Sequence, residues 1–323
     1  MRKSVARLLL PLCMLVLAAH TAMAAEQAID LATPTGTLAG TLNLPAGARV
    51  PVVLLVSGSG PTDRDGNGPV PQTRNDSIKL LAAALADAGF ASVRYDKRGI
   101  AASRAAGPAE SALRFDTYVD DAAAWVARLK GDPRFGPVIV LGHSEGSLVG
   151  MLAAQRAGAG AYVSIAGLAR NAGAALRTQL ADKLPPDLLA ASNRILAALE
   201  RGATDADVPP ALAALYRPSV QPYLISWMKY VPAEQVVALH VPVLVVQGTT
   251  DIQVGVDEAR ALAKAKPDAV LAIIPGMNHV LKEVPDDPQR QMASYGDPSL
   301  PLHPKLAPAI VAFLRGVPAV SKP

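Results

Sequence analysis

Val138-Ile139-Val140-Leu141-Gly142-His143-Ser144-Glu145-Gly146-Ser147-Leu148-Val149-Gly150-Met151-Leu152 is the stretch whose reading decides the fold. An apolar run of strand character passes through a Gly-x-Ser-x-Gly turn into a helix-like run, the pattern of a nucleophile elbow. Gly142 and Gly146 stand two residues either side of Ser144, where a side chain would collide with neighbouring backbone as the strand reverses into the helix. Ser144 is thereby expected in a strained, exposed position. The pentapeptide alone recurs by chance, so the rest of the chain must supply its context.

Working outward, the same alternation continues. Val50 to Val56 is an unbroken apolar strand, Ser77 to Ala88 has helical spacing ending at Gly89, and Ala91 to Tyr95 is a strand again. A helix at Phe115 to Lys130, a strand at Val138 to Leu141, the helix after Ser144 and a strand at Ala161 to Ile165 follow. After an interruption come a strand at Val243 to Gln247, a helix at Val256 to Lys264, a strand at Ala269 to Ile274 and a last helix at about Pro304 to Arg315. Strands alternating with helices predict an α/β fold with a mostly parallel, doubly wound sheet. Ala28 to Asn43, with a turn signal at Pro34-Thr35-Gly36, predicts an antiparallel hairpin at the sheet edge.

The interruption, residues 169–237, is rich in leucine and alanine, broken by Pro185-Pro186, Pro209-Pro210, Pro218, Pro222 and Pro232, and shows no strand pattern. It predicts a helical cap inserted into a discontinuous core made of residues 25–168 and 238–323. Residues 1–24 have the form of a secretory signal: Arg2, Lys3 and Arg7, an apolar stretch from Leu8 to Ala19, and the small-x-small site Ala22-Met23-Ala24. Cleavage near Ala24 and a periplasmic or secreted location are expected. No stable membrane anchor is expected, since the apolar stretch is short, contains Pro11, and no later segment offers about 18 uninterrupted apolar residues.

Cys13, the only cysteine, lies within that segment behind Leu12, not the small residue that precedes a lipidated cysteine. The remainder can form no disulfide and offers no cysteine nucleophile. Three of the 31 Lys and Arg residues and none of the 27 Asp and Glu lie in residues 1–24, which leaves 28 basic and 27 acidic side chains, a net +1. With no basic cluster interleaved with aromatics, nothing points to nucleic acid as a partner. A small, fairly neutral substrate fits better, and the sequence does not fix an oligomeric state.

An elbow serine needs a base and a group to orient it, following in the order Ser, acid, His. Asp251 comes just after the strand pattern Val243 to Gln247, and His279 lies in the loop after Ala269 to Ile274. Carboxyl ends of parallel strands converge at one edge, so Ser144, Asp251 and His279 are expected to meet there as a catalytic triad. Oxyanion donors are expected from the backbone N–H of Glu145 and, in Ser57-Gly58-Ser59-Gly60-Pro61 after the strand Val50 to Val56, from that of Ser59.

The chain resembles the α/β-hydrolase superfamily, in its bacterial esterase and serine aminopeptidase-like group. The resemblance rests on Ser57-Gly58-Ser59-Gly60-Pro61-Thr62-Asp63-Arg64-Asp65-Gly66, Arg94-Tyr95-Asp96-Lys97-Arg98-Gly99, Gly142 to Gly146, Gly248-Thr249-Thr250-Asp251 and Gly276-Met277-Asn278-His279. It implies hydrolysis of carboxylic esters of small to medium acyl chains without cofactor or metal. Ser57 is a departure, because many relatives carry His-Gly at Ser57-Gly58, and the hydrogen bond of that histidine is missing here. The resemblance also leaves room for an aminopeptidase or another amide or thioester hydrolase, with Glu145, Glu200 or Glu234 holding a substrate ammonium. A non-catalytic binding protein on a hydrolase fold is a reading of another class.

Several single features have plainer readings. Asp63-Arg64-Asp65-Gly66-Asn67-Gly68 mimics the start of a calcium loop, but position twelve is Arg74 and a solvated turn is expected. Gly58-Ser59-Gly60 imitates a dinucleotide loop without its third glycine. His143 is expected to pack below the site, and His240 and His303 to be structural or exposed. Asp257 and Asp268 are alternative acids, placed on a helix and at the wrong end of a strand. Asp96, Arg98 and Asp116 are expected to form one ion-pair network. Tyr223, Trp227, Met228 and Tyr230 either line an acyl pocket or pack the insert. Glu145 either repels anionic substrates or favours the helix N-terminus electrostatically.

Overall fold

The computed structural model describes residues 25–321; the expected signal segment, with its cleavage site and Cys13, lies outside the described residues. Strands β1 (Ala25–Thr33), β2 (Gly36–Leu44), β3 (Val50–Val56), β4 (Ala91–Tyr95), β5 (Phe135–His143), β6 (Ala161–Ile165), β7 (Val243–Gly248) and β8 (Val270–Ile274) form one sheet in the order β1-β2-β4-β3-β5-β6-β7-β8. β1 and β2 form the expected antiparallel hairpin at one edge, β2 runs antiparallel to β4, and every pairing from β4 to β8 is parallel.

The central strands are apolar on both sides because both faces are covered. In β3, Val52, Leu54 and Val56 enter the core on one face while Val53 and Leu55 enter the other; in β5, Val138 and Val140 oppose Ile139 and Leu141 in the same way. The first face is covered by α2 (Phe115–Lys130), α3 (Glu145–Ala157) and α9 (Val256–Ala265), which bury Trp125, Met151 and Leu262. The second is covered by α1 (Ser77–Asp87) and α11 (Leu306–Gly316), which bury Leu81 and Ile310. This is a doubly wound α/β-hydrolase fold.

Between β6 and β7 the chain forms no strand. It runs through α4 (Ala172–Leu180), α5 (Pro186–Glu200), α6 (Ala213–Tyr216), α7 (Gln221–Met228) and α8 (Pro232–Gln235). Proline begins α5 and α8, where its missing N–H costs nothing. Asn171 caps α4 by accepting from the Ala174 N–H at 2.9 Å. α7 is fastened to the sheet side of the molecule. Ser226 accepts the Phe115 N–H at 2.8 Å, Trp227 stacks on Phe115 with an interplanar angle of 3°, and the Tyr230 hydroxyl donates to Asp116 at 2.6 Å.

One expected grouping is corrected. Asp96, Arg98 and Asp116 do not share a network: Asp96 pairs with Arg64 at 2.6 Å, Arg98 with the buried Asp121, and Asp116 with Arg156 at 2.9 Å. Asp121 lies on the same inward face of α2 as Phe115, Tyr118 and Ala122, a placement that the spacing of charges does not reveal. The turn at Asp63 is also less solvated than expected. Asp63 accepts the N–H groups of Asp65 and Asn67, both at 2.9 Å, and buried Asn67 accepts those of Asn75 and Asp76 at 2.8 and 2.9 Å.

Candidate active site

The elbow is a consequence of close approach. A Cβ on Gly142 would lie 2.1 Å from the Gly146 carbonyl oxygen, and one on Gly146 would lie 2.3 Å from that of Val56 and 2.5 Å from that of Ser57. Only glycine lets α3 start directly against the end of β3. Ser144 pays for the turn with φ 55° and ψ −122°, a region that L residues avoid. Its N–H donates to the Ile165 carbonyl at 2.9 Å and its own carbonyl accepts from Ser147 at 2.9 Å, so both neighbours hold the strained residue in place.

Asp251 and His279 arrive from the ends of β7 and β8. The two loops are stitched together: Thr249 N–H donates to the Ile274 carbonyl at 3.1 Å, Thr250 N–H to Met277 at 3.2 Å, and Gly276 N–H to the Thr249 hydroxyl at 2.9 Å. Gly248 must be glycine, since a Cβ there would fall 1.9 Å from the Met277 carbonyl oxygen. The outcome is a 2.8 Å contact between Nδ1 of His279 and Oδ2 of Asp251, with both side chains buried. Asp251 Oδ1 accepts the N–H groups of Gln253 and Val254 at 2.8 and 2.9 Å, and Oδ2 also accepts Gln247 Nε2 at 3.0 Å. Burial works to raise this carboxyl, but His279 and the backbone donors outweigh it, and Asp251 is held below the ordinary carboxylate value. The carboxylate is therefore ionised at neutral pH, with Nδ1–H of His279 facing it.

Three supports were not given roles from sequence. His143 does more than pack: Nε2 lies 2.8 Å from the His279 backbone oxygen, and the ring centres are 4.9 Å apart. Gln247 is fully buried and ties Asp251 to the Val254 carbonyl, 2.8 Å from its Nε2. Asn278, next to His279, donates to Ser294 at 2.8 Å and accepts the Lys282 N–H at 2.9 Å. A polar residue in an otherwise apolar strand was the available signal for Gln247. Asn278 carried none, because its partners on α10 (Pro288–Ser294) are remote in sequence.

Ser59 lies in the exposed loop after β3, beside the elbow: a Cβ on Gly58 would meet Ser144 Cβ at 3.2 Å. Among the described residues no protein acceptor meets the backbone N–H of Ser59 or of Glu145. The Glu145 side chain stands in the first turn of α3, where a carboxylate suits the helix N-terminus. It turns inward, 3.8 Å from Nζ of buried Lys97, and burial raises its carboxyl while Lys97 opposes that rise. Burial likewise pushes the Lys97 amine down, opposed by Glu145. Ser57, in the place of the missing histidine, is buried with its hydroxyl unpartnered.

Two cavities open from Ser144. The larger, about 480 Å³, lies towards α4, α6 and α7 and is lined by Ala175, Leu176, Tyr118, Tyr223, Leu224 and Trp227, with Glu145 and Lys97 at its base. The smaller, about 270 Å³, includes His143, His279, Val280, Val70 and Tyr295. Ser59 and Pro61 line both. Of the aromatic cluster expected at the end of the insert, Tyr223 and Trp227 reach the larger cavity, whereas Met228 and Tyr230 do not.

The remaining candidates fall elsewhere. Asp257 is exposed and pairs with Arg260 at 3.1 Å, and Asp268 pairs with Lys266 at 2.9 Å, so neither approaches His279. Glu200 is bound by Arg177 and Glu234 is exposed outside both cavities. His240 is exposed, while His303 is buried with Nε2 3.0 Å from the Pro275 carbonyl oxygen. No cluster of metal-ligating side chains occurs, and no helix is long and apolar enough to cross a membrane, among the described residues.

A family model described as serine aminopeptidase, S33 matches residues 75–284. The esterase EstD of Thermotoga maritima is 29% identical over 254 residues, which cover 76% of this chain; the chain spans 58% of that curated relative's length. Among solved structures, Est1E of Butyrivibrio proteoclasticus superposes with a TM-score of 0.58 at 18% identity, covering 91% of this chain and 99% of that one. An esterase of Pyrococcus furiosus superposes with a TM-score of 0.60 at 14% identity, covering 91% of each.

Proposed function

Because the chain belongs to the serine aminopeptidase S33 family, we propose that it is a serine hydrolase that cleaves carboxylic esters of small to medium acyl chains through an acyl-enzyme. His279 takes the proton of the Ser144 hydroxyl as the oxygen attacks the acyl carbon. Asp251 fixes the Nδ1–H tautomer and stabilises the imidazolium. The N–H groups of Ser59 and Glu145 receive the oxyanion, and His279 then protonates the departing alcohol. Water repeats the sequence on the acyl-enzyme. The observation that carries this reading is the 2.8 Å His279–Asp251 pair, in a site where His279 and the strained Ser144 line one cavity.

Proton delivery also divides the substrate. The alcohol must leave on the side where His279 stands, so it occupies the 270 Å³ cavity that His279 lines. The acyl chain then extends into the 480 Å³ cavity, whose walls Leu176, Leu224 and Trp227 suit an apolar group. Segment 169–237 acts as a cap that sets acyl size, since α4, α6 and α7 bring Leu176, Tyr216, Leu224 and Trp227 to those walls.

An aminopeptidase would need a carboxylate for the substrate's ammonium. Glu200 is occupied by Arg177, Glu234 is outside the cavities, and Glu145 already faces Lys97. Esters are therefore favoured. Ser144→Ala should abolish p-nitrophenyl butyrate hydrolysis, and near-native activity in that variant would overturn the mechanism. Faster turnover of aminoacyl p-nitroanilides than of simple esters by the native protein would favour the peptidase. Export with cleavage near Ala24 belongs to the same proposal and is checked by the N-terminal mass of the protein recovered from its host's periplasm or medium.

A further inference from the structure

The peptide between Gly58 and Ser59 carries one oxyanion donor, yet its own loop does little to orient it. Ser57 has an unpartnered hydroxyl, Gly60 turns at φ 76°, and the nearest tether, the Thr62 hydroxyl to the Ser59 carbonyl at 2.8 Å, is exposed and acts on the following peptide. Among the described residues, the only buried side chain that grips the Gly58–Ser59 peptide comes from elsewhere. Lys97, just beyond β4, sends Nζ 2.5 Å from the Gly58 carbonyl oxygen. A carbonyl only accepts, so the amine donates.

In a trans peptide the C=O and the N–H point in opposite directions. We propose that Lys97 is a positioning residue for the oxyanion site: by holding the Gly58 carbonyl from below, it aims the Ser59 N–H at the oxygen that becomes negative on attack by Ser144. A Cβ on Gly58 would meet Ser144 Cβ at 3.2 Å, so this peptide stands beside the nucleophile and a small rotation would misdirect its donor. Lys97 has nothing else to do at the surface. It is 3% exposed, with Nζ 5.3 Å from the Tyr118 ring centre and 3.8 Å from Oε1 of Glu145. Glu145 supplies the second donor from its backbone, so one side-chain contact couples the residues behind both donors.

The inference rests on the serine hydrolase reading above and is tested with native protein, Lys97→Met and the double variant Lys97→Met/Glu145→Gln, which also removes the carboxylate that Lys97→Met leaves buried alone. The measurements are kcat and KM for p-nitrophenyl butyrate, binding of an alkyl trifluoromethyl ketone, whose serine adduct places an oxyanion in the site, and binding of the product butyrate. Both variants should lose about 100-fold in kcat, lose trifluoromethyl ketone affinity in proportion, and keep KM and butyrate affinity within about 3-fold of native. Recovery in the double variant would overturn the proposal by reducing Lys97 to a counter-charge for Glu145. Equal losses of ketone and butyrate binding would overturn it as well, as would failure of both variants to fold. If only the single variant fails to fold, the double variant decides. Absence of turnover and ketone binding in the native protein defeats the hydrolase reading itself, whereas native activity with unaffected variants defeats the role of Lys97 alone.

Discussion

Nε2 of His143 lies 2.8 Å from the backbone carbonyl oxygen of His279, which joins the residue before Ser144 to the main chain of the loop after β8. Since a carbonyl cannot donate, the His143 proton is on Nε2. Burial and the neighbouring His279 push this imidazole down to about 4, so it is neutral at neutral pH.

That shift predicts a pH dependence. Between pH 6.5 and about 4 the unfolded chain protonates His143 and the folded chain does not, so acidification pulls the equilibrium towards unfolding. The stability is fully present above about 6.5 and is lost as the pH falls through that window, by about 3 kcal/mol in total. His143→Phe should be less stable than native at about pH 7.5 by about 1–3 kcal/mol, because the His279 carbonyl loses its donor. It should also lack this acid slope, so the two curves converge towards the acid end of the window. Urea unfolding at a series of pH values checks both; parallel curves would refute the neutral, buried state of His143.

Gly146 gives a prediction about the elbow. Its alanine Cβ would meet two backbone oxygens, at 2.3 and 2.5 Å, neither of which can rotate away. Gly146→Ala should destabilise the fold by at least about 3 kcal/mol. Gly316 is the contrast: it closes α11, and a Cβ added there would have nothing within 4 Å. Gly316→Ala should be neutral or stabilising by up to about 1 kcal/mol. Denaturant midpoints of the two variants separate steric need from chance glycine.

The elbow and the parallel sheet were legible because their signals are local. Seven apolar residues at Val50 to Val56, or two glycines around Ser144, are dictated by what lies immediately above and below them. The meeting of Asp251 with His279 was legible for a related reason, since strand ends in such a sheet face one edge. Lys97 was not, although it stood in plain view after β4. Its role depends on a carbonyl 39 residues away in sequence, brought near by the pairing of β3 with β4, and a lysine after a strand ordinarily points to solvent. The pairing of Arg98 with Asp121 was missed in the same way, because which face of α2 an aspartate occupies is settled by packing and not by charge spacing.

Asp251→Asn tests the proposed role of His279 as base. Oδ1 is fixed as an acceptor by the N–H groups of Gln253 and Val254, so an asparagine would place its NH₂ at the Oδ2 position, against Nδ1 of His279 and Nε2 of Gln247. His279 would then accept at Nδ1 and carry its proton on Nε2, which could no longer take one from Ser144. The expected loss in kcat is about 10⁴-fold, with little change in KM. Kinetics on p-nitrophenyl butyrate checks it, and a loss under about 10-fold would show that another group orients His279.

The division of the cavities predicts a selective effect at Ala175. This residue is buried on α4 and lines only the larger cavity, which His279 does not line. A tryptophan there would project into the space assigned to the acyl chain while leaving the leaving-group side untouched. Ala175→Trp should lower kcat/KM for p-nitrophenyl octanoate by at least about 10-fold, because even one methylene of misfit in an apolar pocket is worth about 10-fold or more, and should hold the acetate within about 3-fold. A series of acetates with progressively larger alcohols should rank as in the native protein. If the alcohol series changes and the acyl series does not, the two cavities hold the opposite halves of the ester, and His279 must reach the leaving oxygen from the other side of Ser144.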